Sequence, residues 1–225
     1  GEITGENLEL NGFSIIDSKA RTWIDICSID ALYAGNLALD AGQVGRNIPR
    51  RIIAASHTHY SPMLDDSKTL LGAFSKPAYS AWQNALNMTP RLNQKIVRCR
   101  LLSAPVAVPV YRRFDAPNSL PHRLLTTFGG MYPNSHQRFD DRLYIFLLEN
   151  VDGPVAAIAY HACHPVSRAN GDEVSADYIG IIRSAVRQRF GNIPVLFFLG
   201  CCGDIRPNLS KKRISWLPKS RLNWR

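Results

Sequence analysis

Residues 143–165 read Leu143-Tyr144-Ile145-Phe146-Leu147-Leu148-Glu149-Asn150-Val151-Asp152-Gly153-Pro154-Val155-Ala156-Ala157-Ile158-Ala159-Tyr160-His161-Ala162-Cys163-His164-Pro165. Two apolar runs, each too short for a stable helix, flank a polar connection. Runs of this length, rich in β-branched and aromatic residues, fit strands buried in a sheet. The connection holds Asp152-Gly153, a dipeptide suited to the backbone of a tight hairpin turn. Leu143–Leu148 and Val155–Tyr160 are therefore expected to form an antiparallel β-hairpin, and the second strand delivers His161 and His164 at its end.

Four further runs have the same character: Trp23–Ile29, Arg51–Ala55, Lys95–Leu102 and Pro194–Leu199. Helical periodicity is clearest over Tyr178–Phe190, where Ile179, Ile182, Val186 and Phe190 form one stripe opposite Arg183, Arg187 and Arg189. A second helix is expected over Ala78–Leu86, ending before Pro90. The segment Pro105–Pro133 is rich in Pro, Arg and Asn and reads as a long irregular loop. The expected fold is α/β: a layered domain with a largely buried mixed sheet flanked by helices, its site at strand carboxyl ends. One domain is expected over residues 1–225. Joins such as Asp17-Ser18-Lys19-Ala20-Arg21 are abrupt, and no closing element follows the basic stretch ending at Arg225. The domain is therefore expected to be incomplete at its C-terminus.

Hydrophobic residues make up 45% of the 225 and charged residues 20%, a composition that excludes wholesale disorder. No apolar run reaches the roughly 18–20 residues of a membrane-spanning helix, and the start has neither an initiator Met nor a secretory layout. The net charge is +9, and Lys211–Arg225 concentrates Lys211, Lys212, Arg213, Lys219, Arg221 and Arg225 without an acid. That stretch is either a solvated tail or a peripheral contact with anionic membrane. No nucleic-acid motif accompanies it, so no nucleic-acid partner is expected. Five cysteines without framework spacing argue against a disulfide scaffold, and the absence of a CxxC pair argues against a thiolate zinc site. Cys27 and Cys99, in apolar runs, are expected to be buried.

Four strand ends carry residues capable of chemistry. Ser56-His57-Thr58-His59-Tyr60-Ser61-Pro62 follows the strand ending at Ala55. In an extended HxH the side chains point to opposite faces, so both imidazoles reach one metal only where the backbone bends. His164 sits in a Pro-stiffened turn after the hairpin, while His161 reads as a core group or a support for the site. Neutral imidazoles suit Zn²⁺, which favours tetrahedral sites with an open position. Asp177, opening the helix, is either an N-cap or a carboxylate orienting a metal-bound His. Leu199-Gly200-Cys201-Cys202-Gly203-Asp204-Ile205-Arg206-Pro207-Asn208 follows a strongly apolar strand, and Asp204 reads either as a site residue or as a loop anchor. Asp30 ends the strand Trp23–Ile29 in the same manner.

Three of these stretches together resemble the catalytic domain of the neutral/alkaline non-lysosomal ceramidase family. They are Ala55-Ser56-His57-Thr58-His59, the run His164-Pro165-Val166-Ser167 through Val174-Ser175-Ala176-Asp177-Tyr178-Ile179-Gly180, and Phe197-Phe198-Leu199-Gly200 through Gly203-Asp204-Ile205-Arg206-Pro207-Asn208. The resemblance implies a zinc-dependent amidase with His57 and His164 as metal ligands and His59 facing the substrate. It also implies a small-molecule or lipid substrate and further Glu and Tyr ligands that have no assigned position in this chain; Asp177, Asp204 and Arg206 are, with His59, the expected catalytic-site residues. Where the family carries Ser in its Gly-Asp-x-Ser-Pro-Asn motif, this chain carries Arg206, which points towards an anionic or polar substrate. The alternative is a catalytically degenerate binding domain that docks through its basic tail. A serine hydrolase is disfavoured because the Gly-x-Ser-x-Gly elbow is absent. A thiol nucleophile at Cys163, Cys201 or Cys202 beside His164 stays open.

Overall fold

The structure, a computed structural model, describes residues 8–17, 22–42, 50–88, 96, 98–112, 137–168 and 173–208. The hairpin forms as its sequence dictates. Strands β6 (Arg142–Glu149) and β7 (Pro154–His161) pair antiparallel, with Ile145 opposite Ala159. At the turn, Asn150 Oδ1 accepts from the N–H groups of Asp152 and Gly153. Gly153 takes φ 133°, a conformation open to glycine at little cost.

The hairpin forms the middle of a four-stranded sheet ordered β4-β6-β7-β8, with β4 spanning Arg98–Pro105 and β8 spanning Val195–Leu199. β4 and β6 pair antiparallel, whereas β7 and β8 run parallel. A three-stranded sheet holds β1 (Leu10–Asp17), β2 (Thr22–Ile29) and β3 (Arg50–Ala55), with β1 antiparallel and β3 parallel to the central β2. A short ribbon pairs β5 (Pro109–Tyr111) with β9 (Ile205–Pro207). Helices α1 (Gly35–Gly42) and α2 (Lys76–Met88) belong with the first sheet, and α3 (Tyr178–Phe190) with the second. The fold is mixed α/β, divided among three sheets rather than gathered in one.

Alternation along the strands explains the core. Leu143, Ile145 and Leu147 of β6 and Ala157 and Ala159 of β7 share one face. They pack with Tyr178, Ile179, Ile182 and Val186 of α3 and Phe197 of β8. The two larger sheets meet where polar side chains satisfy the backbone of β8. Buried Ser28 Oγ donates to Phe197 O at 2.9 Å and accepts from Phe197 N at 3.1 Å.

Several expectations need correction. Arg183 is buried, not solvent-facing: its guanidinium forms a two-pronged ion pair with buried Asp30. Next along the helix, Arg187 pairs with Glu9. Asp30 is therefore a structural anchor between sheet and helix. Cys99 is exposed, because at the edge of its sheet it lies on the face away from α3, as does Leu101. β5 interrupts the segment expected to be irregular, whereas 113–136 and the basic tail lie outside the described residues. β1, α1, β5 and β9 were not anticipated; β1 carries polar Asn11 and Ser14 and an interior Gly12, and the two ribbon strands are only three residues long.

Candidate metal centre

β3 ends at Ala55, and the next residues leave the strand along β2. Ser56 N–H donates to Ile29 O, and His57 N–H donates to Ala31 O, both at 2.9 Å. His57 takes φ 65°, in the left-handed region that few non-glycine residues occupy. This is the bend that an extended HxH requires before both rings can face one point. β7 ends at His161, and the Pro165 turn brings His164 across from His57, with His59 N–H donating to Pro165 O at 3.4 Å.

The three imidazoles converge. Ring centroids lie 5.2 Å apart for His57 and His59, 5.0 Å for His57 and His164, and 5.5 Å for His59 and His164. One nitrogen from each ring falls within 4.8 Å of the others, so the cluster could hold a metal ion. Two of the rings are fixed by main-chain carbonyls: His57 Nδ1 donates to Leu32 O and His164 Nδ1 to Cys202 O, each at 2.9 Å. A neutral ring that donates from Nδ1 keeps its lone pair on Nε2, which is the arrangement of a metal-binding histidine. His59 has no such carbonyl partner among the described residues and is the more exposed ring.

Electrostatics disfavour protonation of two of the rings, His59 and His164. Burial, then the neighbouring imidazoles and the Arg112 guanidinium, hold His59 down at about 4. Burial, chiefly, and Arg112 also lower His164 against the opposing effect of its Cys202 hydrogen bond. Arg112 is anchored beside the rings: Nε donates to Gly203 O at 3.0 Å, and its main-chain N–H donates to Asp204 O at 2.8 Å. Arg112 lies within the Pro- and Arg-rich segment, where no periodicity or motif singles it out. Tyr33 closes another side, edge-on to His57 at 5.4 Å.

The remaining sequence candidates fall around this cluster. Asp177 is buried, and its carboxylate accepts from Ser167 N, Ser167 Oγ and Tyr178 N rather than from an imidazole. Asp204 shares the loop that fixes Arg112, and its carboxylate is not part of the imidazole cluster. Arg206 pairs with Val110 in the β5–β9 ribbon, and the cation whose charge reaches His59 and His164 is Arg112. His161 is fully buried, donating from Nδ1 to Arg142 O and standing edge-on to Tyr178. Burial raises the Cys163 thiol far above its usual range and Cys202 to about 11, which removes both as ready thiolates. Gly200 serves packing, since a Cβ there would meet the Tyr160 hydroxyl at 2.6 Å.

No protein-family model and no curated protein matches this sequence. Solved structures do match in fold. A ceramidase complexed with C2 superposes with a TM-score of 0.67 and 17% identity, covering 89% of this chain and 33% of that one. The neutral ceramidase from Pseudomonas aeruginosa superposes with a TM-score of 0.64 and 15% identity, covering 92% of this chain and 35% of that one. The chain thus spans about a third of the length of these neighbours. Its fold is ceramidase-like, and that fold gathers His57, His59 and His164 into one cluster.

Proposed function

We propose that this chain forms part of a zinc-dependent hydrolase that cleaves an amide bond, with an N-acyl lipid as the substrate class. The observation that carries the reading is the pair of Nδ1–carbonyl hydrogen bonds, which aim His57 and His164 towards a shared point. The donor set fits zinc: neutral nitrogen ligands, bound at about 2.0–2.1 Å, in a site open on the His59 side. The lipid class follows from what the structural neighbours are, and the amide from the reaction their name denotes.

A zinc ion held there would supply Lewis acidity and bring the pKa of bound water to about 7. The chain's own residues do the rest. His57 and His164 hold the ion. His59, neutral above about pH 4 and not tied to a carbonyl, carries a proton between water and the leaving nitrogen. The Arg112 guanidinium presents positive charge where the amide oxygen gains negative charge. Asp177 supports the His164 turn from behind, and Asp204 helps seat Arg112 through its carbonyl. Arg206, on the neighbouring ribbon, favours a substrate with an anionic or polar headgroup.

The test is hydrolysis of a fluorogenic N-acyl amide by wild type and His59→Asn, each assayed with its zinc content. The reading expects wild-type turnover that a chelator abolishes and Zn²⁺ restores. His59→Asn should retain zinc and lose about 10²–10⁴ in kcat, the usual contribution of a positioned proton-transfer group. Turnover indifferent to chelation, or loss of zinc in His59→Asn, would contradict it.

A further inference from the structure

We propose that the segment Ser175–Tyr178 is a brace that sets the separation of the two histidine-bearing loops, with Thr58 and Asp177 as its positioning residues. The proposal rests on the metal-centre reading above and assigns a role to a buried polar network that touches neither ring.

One arm of the brace grips the His57 loop. Thr58, fully buried between the two histidines, donates from Oγ1 to Ser175 O at 2.8 Å and accepts from Tyr60 N at 3.3 Å. Ser175 N–H returns a bond to Tyr60 O at 2.8 Å. Two loop segments are thereby tied together around a single hydroxyl. The other arm grips the His164 turn. Asp177 receives Ser167 N and Oγ, both at 2.8 Å, and Tyr178 OH donates to Cys163 O at 2.5 Å. Tyr60 OH adds a further tie, donating to Arg168 O and accepting from Arg168 N at 3.1 Å.

The arms are joined within the segment, since Asp177 N–H donates to Ser175 Oγ at 2.9 Å. Asp177 takes φ 56° and ψ −145°, a region that residues with a side chain rarely enter. A helix needing only an N-cap would not require that conformation. In this conformation the carboxylate turns back onto Ser167 while Ser175, two residues earlier, is bonded to Thr58. The strained bends at His57 and Asp177 thus lie at the two ends of one hydrogen-bonded chain. Each positions a loop that carries a candidate ligand.

The test titrates the full chain with Zn²⁺ against a chromophoric chelator, for wild type, Thr58→Val, Thr58→Ser and a control, Ile182→Val. Ile182 is buried in the α3 core and makes none of these hydrogen bonds. Thr58→Val should weaken the apparent Kd for Zn²⁺ about tenfold or more, as loss of a supporting group does elsewhere. It should also alter the visible absorption of the Co²⁺-loaded protein. Thr58→Ser should bind as wild type, and Ile182→Val should lose thermal stability without losing affinity. Should Thr58→Val fail to fold, Ser167→Ala removes a single bond to Asp177 and is expected to weaken Zn²⁺ binding in the same direction. A folded Thr58→Val or Ser167→Ala with wild-type affinity and an unchanged Co²⁺ spectrum would overturn the brace alone. Wild type that takes up no Zn²⁺ would overturn the metal centre itself, and the brace with it.

Discussion

At the scale of single residues, His59 and His164 lie in a partly desolvated cluster that disfavours their protonation. Burial is the leading cause for His59, His161 and His164 alike, and all three are lowered from the usual value near 6.5. On unfolding they regain that value, so the unfolded chain binds more protons than the native one below pH 6.5. Stability of the metal-free protein is therefore expected to fall as pH drops from about 6.5 towards 4. Glu9 extends the loss: burial would raise its carboxyl, but hydrogen bonds from Arg187 and Asn11, with the charges of Arg183 and Arg187, hold it down at about 2. Its contribution is present above the unfolded value near 4.5 and fades as pH falls towards 2. Urea midpoints across pH 2 to 8 check this, and a flat profile between pH 6.5 and 5 would contradict the histidine part. The bend at His57 was implied by the sequence, because two imidazoles spaced i and i+2 cannot otherwise meet. The carbonyls of Leu32 and Cys202 were not legible, since any residue type supplies a carbonyl. Nor was Arg112, whose role comes only from the β5–β9 ribbon that sets it beside Gly203.

At the scale of elements, sequence periodicity located the hairpin and α3 because one face of each is buried against the other. α3 runs from Tyr178 to Phe190 as its apolar stripe requires, and Gly191 closes it by donating to Arg187 O. The same stripe misplaced Arg183, which adjoins the buried positions and is tolerated there because Asp30 neutralises it. β1 was invisible because its register depends on partners: Asn11 and Glu9 hydrogen-bond each other and reach Arg187. Ser28 presents the clearest element-level test. Its hydroxyl satisfies both the N–H and the C=O of Phe197, so Ser28→Ala strands two buried backbone groups. A loss of about 1–3 kcal/mol is expected, read from the urea midpoint at unchanged m. A loss under about 0.5 kcal/mol, the range of inert surface substitutions, would mean that β8 does not depend on this contact.

At the scale of the whole molecule, two sheets, a helix and a short ribbon meet so that the ends of β3 and β7 open towards one point. The α/β class was legible from alternation and turn chemistry. The division into separate sheets was not, because it follows from side chains such as Ser28 and Asn11 replacing ladder bonds at β8. Among the described residues no helix is long and apolar enough to cross a membrane. The left-handed backbone at His57 and the unusual conformation at Asp177 each cost on the order of 1–3 kcal/mol. Such strain persists where surrounding contacts over-determine it, as the bonds of His57 N–H to Ala31 O and of the Asp177 carboxylate to Ser167 do here. The central claim is that the cluster is a zinc site held by His57 and His164. Its most direct test is elemental analysis of the purified, refolded and zinc-reconstituted protein, compared with a His57→Ala, His164→Ala double variant. The account predicts one equivalent of zinc per wild-type chain and none in the double variant. A well-folded wild type with no stoichiometric metal, or a double variant that retains it, would contradict the account.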